Sequence, residues 1–166
     1  MAKTTAHGIK IPDLTKGMIE KVISGGQTGV DRAALDIAVT YGVPLGGWCP
    51  KGRKAEDGSI PPRYPLKETP TEVYTQRTEW NVRDSDGTLV LSCGIPTEGT
   101  AFTIQVATRL GRPHLVIDLD QPPDPSVARQ WIIDEGIRVL NVAGPRESKC
   151  PGIHHRAHQF LSKVLR

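Results

Sequence analysis

The chain has 166 residues, a formal net charge of +3 from 21 Lys or Arg against 18 Asp or Glu, and a hydrophobic fraction of 37%. This length predicts a single domain, here residues 19–166 after a tail of residues 1–18, and the small net charge argues against a nucleic-acid-binding surface. No apolar stretch approaches the ~20 residues of a transmembrane helix, and none near the N-terminus resembles a signal peptide. We therefore expect a cytoplasmic protein that binds neither nucleic acid nor membranes.

The N-terminal half of the domain is predicted to begin with a strand, a helix and a second strand. Residues 19–24 (IEKVIS) are typical of a strand. A helix is predicted from Val30 to Gly42, because apolar residues recur at helical spacing and glycine suits the position after a helix. Residues 43–45 predict a short strand, whereas residues 46–70 are rich in Gly and Pro and predict a long irregular or mobile loop.

The C-terminal half alternates helices and strands with short connections. Asp124 followed by Pro125 indicates a helix start, since Asp is a preferred N-cap and Pro is favoured in the first turn. Alternation of this kind predicts a doubly wound α/β fold with a mainly parallel sheet, helices on both faces, and ligand-binding loops at the carboxyl ends of the strands. In order, we predict a helix over 71–84, a strand over 88–92, a helix ending before Gly111, a strand over 114–118, a helix from Pro125 to Gly136, a strand over 137–142 and a helix over 153–165.

The loop after the first strand is rich in glycine and opens a helix. It fits the dinucleotide-binding pattern G-x-G-x-x-G, except that Ser24 replaces the first glycine. Backbone N–H groups of such a loop can bind a phosphate, but residues 46–48 (GGW) stand where an NAD site would have a carboxylate, which disfavours NAD. Thr28 and Asp31 have the spacing of a capping box, and a tight turn without a ligand is the alternative. The candidate ligand-binding residues here are Gly25, Gly26, Gln27, Thr28 and Gly29.

A second candidate loop follows strand 88–92 and precedes the next helix. A helix N-terminus with a neighbouring hydroxyl can bind a second anion or a second part of the same ligand. Glu98 would repel a phosphate, so we expect it to orient a cationic or N–H-bearing group; helix capping is the alternative role for Glu98 and Thr97. The candidate residues in this loop are Cys93, Gly94, Thr97, Glu98, Gly99 and Thr100.

Two basic loops could complete the site. Lys51 and Arg53 lie in a glycine-rich loop after the second strand and could close over a phosphate as a lid. Arg146 and Ser148 follow the last strand and could reach the same crevice, while Trp48 could stack on a flat heterocycle. For both loops a solvated charged surface is the alternative.

The cysteines and histidines do not form a recognisable metal-binding pattern. Cys49, Cys93 and Cys150 are an odd number at spacings of 44 and 57 residues, so neither a disulfide framework nor a zinc ribbon is predicted. Each follows a predicted strand, where its thiolate could ligate a soft metal; a small buried side chain is the alternative. His154 and His158 lack a third ligand at suitable spacing, which favours a solvated helix face.

The sequence resembles the molybdenum carrier family over residues 20 to about 163. The resemblance is carried by VISGGQTGVDRAALDIAVTYGVPLGGWCPKGRKAEDG (22–58), TEWNVRDSDGTLVLSCG (78–94), TEGT (97–100) and NVAGPRES (141–148). It implies a Rossmann-like fold that binds, protects and transfers molybdenum cofactor as cargo; this cofactor, Mo-molybdopterin, is a pterin with a phosphate and a dithiolene-held Mo. It also implies a homo-oligomer, a dimer or tetramer, that passes the cofactor to molybdoenzymes or cofactor-insertion proteins.

The wider set of Rossmann-like proteins around this family includes phosphoribohydrolases that act on nucleoside monophosphates. Their motif P-G-G-x-G-T-x-x-E corresponds here to residues 96–100 (PTEGT), which is one residue shorter, with Thr103 in place of the catalytic Glu. This departure favours binding over glycosidic cleavage, so we predict no catalytic residue. The alternatives are an enzyme or sensor of a nucleotide-derived ligand, and an interaction domain with an empty crevice.

Overall fold

The computed structural model describes residues 18–165 and, before them, two short strands that pair antiparallel. The predicted tail, residues 1–18, lies outside the described residues except for these strands and Met18. No helix of the described chain is long and apolar enough to cross a membrane. The strands are β1 (Lys3–Thr4), β2 (Lys10–Ile11), β3 (Lys21–Ile23), β4 (Leu45–Gly46), β5 (Trp48–Cys49), β6 (Lys54–Ala55), β7 (Gly58–Ser59), β8 (Lys67–Glu68), β9 (Gly87–Ser92), β10 (His114–Asp118) and β11 (Val139–Ala143). The helices are α1 (Val30–Tyr41), α2 (Tyr74–Arg83), α3 (Glu98–Arg109), α4 (Pro125–Asp134) and α5 (Ile153–Val164).

Five parallel strands form the central sheet, in the order β10-β9-β11-β3-β4. Strand β9 is buried at all six residues, as expected of a parallel sheet covered by helices on both faces. Strand β11 lies between β3 and β9 and pairs with both, so the carboxyl ends of these three strands are side by side. The predicted α/β fold with a mainly parallel sheet is confirmed.

Helices α1, α4 and α5 pack on one face of the sheet, and α2 packs with α3 on the other. The larger core lies between the sheet and helices α1, α4 and α5, and it includes Leu89 and Leu91 of β9, which are fully buried. The smaller core joins Val82 of α2 to Val106 of α3. The apolar face predicted for the last helix is confirmed, with five buried residues: Ile153, Ala157, Phe160, Leu161 and Val164.

The predicted helix caps are confirmed at two places and wrong at a third. Asp124 caps α4 by accepting an N–H of its first turn at 2.9 Å, and Gly42 ends α1 in the left-handed conformation. The capping box predicted at the start of α1 is wrong. Its N-cap is Gly29, and the hydroxyl of Thr28 donates to Glu56 rather than capping the helix.

Residues 46–70, hereafter the insert, form a packed element rather than the irregular mobile loop that their composition predicts. Strand β5 pairs with β8 in parallel, and β6 pairs with β7 antiparallel. These strands have two residues each, which is too short for an alternating pattern to show in the sequence. The insert has its own core on Leu35 of α1, formed by Cys49, Ala55, Ile60, Tyr64 and Leu66.

Candidate functional site

A cavity of about 520 Å³ opens at the carboxyl ends of β3, β9 and β11, a volume that suits a small-molecule ligand. Its walls come from one face of α2, the first turns of α3 and the loops that follow β9 and β11. The predicted site residues that line it are Gln27, Cys93, Thr97, Glu98, Gly99, Thr100 and Arg146. The predicted site residues that the structure places outside the lining are Gly25, Gly26, Thr28, Gly29, Trp48, Lys51, Arg53, Gly94 and Ser148.

The start of α3 faces this cavity without a side-chain cap. Its N-cap residue, Thr97, is extended and makes no side-chain cap, as is also the case at the N-cap of α1, and the carbonyl of Thr97 accepts the N–H of Thr100 at 3.1 Å. Glu98 has a φ of +48°, and a Cβ added to Gly99 would meet no atom within 4 Å. Because the first N–H groups of a helix point along its axis, the start of α3 can donate to an anion in the cavity.

Protein atoms accept three N–H groups of the glycine-rich loop and the first residue of α1. The N–H of Gln27 donates to Asp31 Oδ2 at 3.2 Å, and its side-chain oxygen accepts the N–H of Thr28 at 3.0 Å. The N–H of Val30 donates to the carbonyl of Pro145 at 3.3 Å. Gln27, Thr28 and Val30 therefore donate their N–H groups to atoms of the protein itself.

The glycines of this loop make room for protein atoms. A Cβ on Gly25 would overlap the guanidinium of Arg77, and one on Gly26 would lie 2.6 Å from a leucine methyl of the insert. Gly29 has a φ of +79°, and its Cβ would overlap the carbonyl of Pro145. The close approach that glycine permits here is that of neighbouring side chains and backbone.

A buried ion pair joins α1 to α2. Arg77 Nη1 lies 3.0 Å from Asp31 Oδ2, and the two side chains are only 14% and 6% exposed. Burial raises the pKa of Asp31, while the charge and hydrogen bond of Arg77 oppose that rise. Both residues line the cavity, and Arg77 Nε is buried with no hydrogen-bond partner among the described residues. Since unpaired buried donors are rare, this N–H is one that a bound ligand could satisfy.

Two further cations line the cavity near the start of α3. Lys149 Nζ lies 2.8 Å from Glu98 Oε1 and holds the pKa of Glu98 below its ordinary value. Arg146 Nε lies 3.2 Å from Glu56 Oε2. The cationic group that Glu98 contacts is thus Lys149, a side chain of the protein itself.

Thr28 and Ser148 contact the insert rather than the cavity. Both hydroxyls donate to the carboxylate of Glu56, that of Ser148 at 2.5 Å. Burial acts to raise the pKa of Glu56, but these hydrogen bonds and the nearby Arg146 outweigh it, so the pKa lies below its ordinary value. Glu56 connects the insert to the loops after β3 and β11.

Trp48, Lys51 and Arg53 belong to the insert, and no insert residue lines the cavity. The Trp48 ring packs edge-on against Trp80 with ring centroids 4.7 Å apart, and its indole N–H donates to Asp84 at 2.8 Å. Lys51 is exposed. Arg53 donates to four backbone carbonyls of the insert at 2.8–3.2 Å, which gives its guanidinium a role in holding the insert together.

Cys93 and Cys150 form a disulfide at the cavity wall, so the predicted alternatives for them, a metal-binding thiolate or a small buried thiol, are wrong. Their separation of 57 residues carries no local signal, because the pairing depends on β9 and β11 being neighbours in the sheet. Cys49 is a free thiol in the insert core, and burial raises its pKa. Within the described residues, no group of three or more His, Cys, Asp or Glu could hold a metal ion.

The α2 wall of the cavity was not predicted from the sequence. Tyr74, Arg77, Thr78 and Asn81 line the cavity at positions i, i+3, i+4 and i+7 of one helix face. A helix that covers a sheet normally carries apolar residues at this spacing, so a polar stripe there is a signal that could have found them. Asn141, a polar residue within the apolar strand β11, is a second signal of the same kind.

The polar side chains of the lining are largely paired within the protein, and one apolar side chain is exposed beside them. Thr103 is buried and donates its hydroxyl to the carbonyl of Gly99 at 3.0 Å. The two lining carboxylates, Asp31 and Glu98, are each paired with a cation. Ile95, 88% exposed, contributes an apolar surface beside the start of α3.

Comparison with known proteins identifies relatives of the whole domain. The circularly permutated YpsA SLOG family matches residues 22–165. A crystal structure described as "Putative molybdenum carrier protein", from Syntrophus aciditrophicus SB, is 48% identical with a TM-score of 0.86, over 89% of this chain and 96% of that chain. No curated protein matches the chain. The resemblance seen in the sequence is confirmed, and the chain belongs to the circularly permutated YpsA SLOG family.

Proposed function

We propose that this protein binds molybdenum cofactor in the cavity and carries it without converting it. The observation that carries the proposal is the uncapped start of α3, which faces a cavity that is also lined by Arg77, Arg146 and Lys149. A phosphate group is the ligand that helix N–H groups and cations bind together. The name given to the similar crystal structure supports the molybdenum part of the proposal.

The rest of the lining suits a ring system with polar edges. The pterin ring would lie against the apolar surface of Ile95 and Tyr74, with the polar groups of Thr78 and Asn141 within the same cavity. The phosphate would lie at the N–H groups of α3. Pterin and nucleotide ligands share this combination of ring and phosphate, so the experiment has to separate them.

A carrier needs fixed donors and cations more than it needs an acid, a base or a nucleophile. Thr103 in place of a catalytic Glu, and the pairing of Asp31 and Glu98 with cations, support this role. In this proposal a homo-oligomer holds the cofactor and passes it to molybdoenzymes or cofactor-insertion proteins.

The test is titration of the full chain with molybdenum cofactor under anaerobic conditions, comparing the parent with Gly99→Glu and Gly99→Gln. A Cβ added at residue 99 would meet no atom within 4 Å, and a carboxylate at a helix start does not destabilise the helix. The carboxylate would repel the phosphate, so we expect Gly99→Glu to weaken binding by about tenfold or more relative to Gly99→Gln. Equal affinity in the two variants would contradict phosphate binding at α3.

In a second experiment the same protein is incubated with adenosine and guanosine monophosphates, and chromatography measures any release of the free base. A carrier leaves both nucleotides intact. Base release with turnover would replace the carrier by a phosphoribohydrolase, the alternative that shares this fold.

A further inference from the structure

The disulfide Cys93–Cys150 connects the two loops on one side of the cavity. Cys93 is the first residue after β9, and Cys150 lies between β11 and α5. The ion pair between Glu98 and Lys149, 2.8 Å long, joins the same two loops at the surface. The position of the Cys93 loop relative to the Cys150 loop is thus fixed by one covalent bond and one exposed ion pair.

The fold holds both loops at their bases without this bond. Strands β9 and β11, which lead into the loops, are hydrogen-bonded neighbours in the sheet. On one side the N–H of Gly94 donates to Asp118 Oδ1 at 2.8 Å. On the other, Glu147 accepts the N–H groups of Gly152 and His154 at 2.6 and 3.0 Å and so fixes the start of α5. Breaking the disulfide would therefore release the loop tips while leaving the sheet and α5 in place.

A fixed positive charge lies beside both sulfurs. Arg156 Nη1 is 4.0 Å from the sulfur of Cys93 and 4.0 Å from that of Cys150. Its other nitrogen, Nη2, donates to the Leu119 carbonyl at 2.6 Å and to Asp120 at 2.8 Å, which holds the guanidinium in position. A neighbouring cation stabilises a thiolate, and thiolates are both the attacking and the leaving groups of thiol–disulfide exchange.

Cys93 and Cys150 belong to the cavity lining and also pack against the larger core, whereas Cys49 does not line the cavity. Cys93 and Cys150 are half-buried, whereas Cys49 is fully buried in the insert core. We expect a small thiol that enters the cavity to react with the disulfide and not with Cys49. Cys49 is therefore an internal control for experiments that modify accessible thiols.

We propose that Cys93 and Cys150 are a reversible redox pair that sets the ligand affinity of the cavity. In reduction, a thiolate of a small dithiol or of glutathione attacks one sulfur, the S–S bond breaks, and the departing thiolate takes up a proton. A second thiol of the reductant resolves the mixed disulfide. In total two electrons and two protons pass to the pair, and the reductant becomes a disulfide; glutathione disulfide reverses the step.

The disulfide form holds the loops in the arrangement that lines the cavity, so it binds an anion more tightly because less ordering is needed on binding. In the dithiol form the exposed Glu98–Lys149 pair is left, and an anion at α3 competes for Lys149. The part of the proposal that concerns the ligand rests on the proposed function. The redox chemistry and the loop movement do not.

The test uses the full chain equilibrated in glutathione buffers of graded ratio, with alkylation and mass measurement of free thiols. We expect Cys93 and Cys150 to become alkylated together in one reversible transition, with Cys49 unmodified. Hydrogen exchange in residues 94–100 and 144–150 should speed up on reduction, while the core of α1, α4 and α5 is unchanged. The affinity for inorganic pyrophosphate should fall by about fivefold or more, the lower end of usual coupling between sites.

Matched variants separate the parts of the proposal. Cys93→Ser/Cys150→Ser should behave as the reduced form in every buffer, while Cys49→Ala should keep the transition. Arg156→Gln should slow reoxidation and Arg156→Lys should restore it. A disulfide that resists reduction until the protein unfolds, or faster exchange throughout the core, would show a purely structural bond and overturn the proposal.

The pyrophosphate result separates the redox pair from the proposed function. If the loops loosen while both forms bind pyrophosphate equally, redox control of binding is overturned. If neither form binds pyrophosphate, anion binding at α3 fails and redox control of binding is overturned with it; the alkylation and exchange results then decide the redox chemistry and the loop movement separately.

Discussion

Two helix N-termini meet at the same edge of the sheet, and protein atoms crowd one of them more closely than the other. Helix α1 follows the loop with Gly25, Gly26 and Gly29, and the N–H of its first residue, Val30, donates to the carbonyl of Pro145. Neither helix has a side-chain cap, but α3 has Gly99 in its first turn and lines the cavity. Glycine in a loop shows that something approaches the backbone closely. At α1 that partner is the protein, and at α3 the space is open.

The largest expected effect is the loss of stability when the ion pair between Asp31 and Arg77, beside the start of α1, is broken. Arg77→Met removes the guanidinium over Gly25 and leaves the carboxylate of Asp31 buried without its cation. Breaking a buried pair in this way costs about 3–5 kcal/mol of unfolding free energy, measured by urea denaturation at pH 7. The double variant Asp31→Asn/Arg77→Met is the control, and it should recover part of the loss because no buried charge remains.

The cost of Arg77→Met should depend on pH. Burial already raises the pKa of Asp31 above its ordinary value of 3.8, and removal of Arg77 raises it further. A carboxyl with a raised folded-state pKa contributes stability below its unfolded pKa and loses it as the pH rises through the folded pKa. The stability difference between parent and Arg77→Met should therefore shrink as the pH falls from 7 towards about 4. A stability difference that does not change with pH would contradict the claim that Arg77→Met leaves the charge of Asp31 buried without a cation.

A smaller effect is expected when a Cβ is added at each helix start. Gly29→Ala forces a positive φ on alanine and overlaps the carbonyl of Pro145, which should cost about 2–4 kcal/mol. Gly99→Ala meets no atom and replaces a helical glycine, so it should change stability by less than about 1 kcal/mol, towards the stable side. Thermal unfolding of the two variants measures both changes in stability. Similar losses of stability in Gly29→Ala and Gly99→Ala would contradict the difference in free space between the starts of α1 and α3.

The smallest effect concerns the cations. Lys149 lines the cavity and is paired with Glu98, whereas Lys51 is exposed on the insert. Lys149→Ala should weaken pyrophosphate binding by about two- to fivefold, as expected for one exposed charge, and Lys51→Ala should leave it unchanged. Calorimetric titration gives both values. An equal or larger loss in Lys51→Ala would restore the insert as a phosphate-binding lid.

Much of the fold could be predicted because its signals are local. The apolar face of α5, the Asp124 cap and the strand His114–Asp118 each depend on residues a few positions apart. The insert could not be predicted, because its two-residue strands and the backbone contacts of Arg53 are set by tertiary packing. The composition of residues 46–70 indicates turns and says nothing of the core beneath them.

Three of the four predicted loops meet at the cavity, and only some of the predicted residues line it. The topology rule for parallel sheets led to the loops after β3, β9 and β11, which line the cavity, and also to the insert, which does not. The rule does not say which backbone groups remain free. The free space and the free N–H groups at α1 depend on residues far away in the sequence. The guanidinium of Arg77 occupies the space beside Gly25, and the carbonyl of Pro145 accepts the N–H of Val30. The Cys93–Cys150 bond was missed for the same reason.

NMR titration of the ¹⁵N-labelled protein with inorganic pyrophosphate locates the bound anion residue by residue. We expect the anion to bind at the start of α3 and not at the glycine-rich loop. We predict that the largest amide shifts occur at Glu98, Gly99 and Thr100, with smaller ones near Arg146 and Lys149. The largest shifts at residues 25–29 would contradict the account and return the anion site to α1.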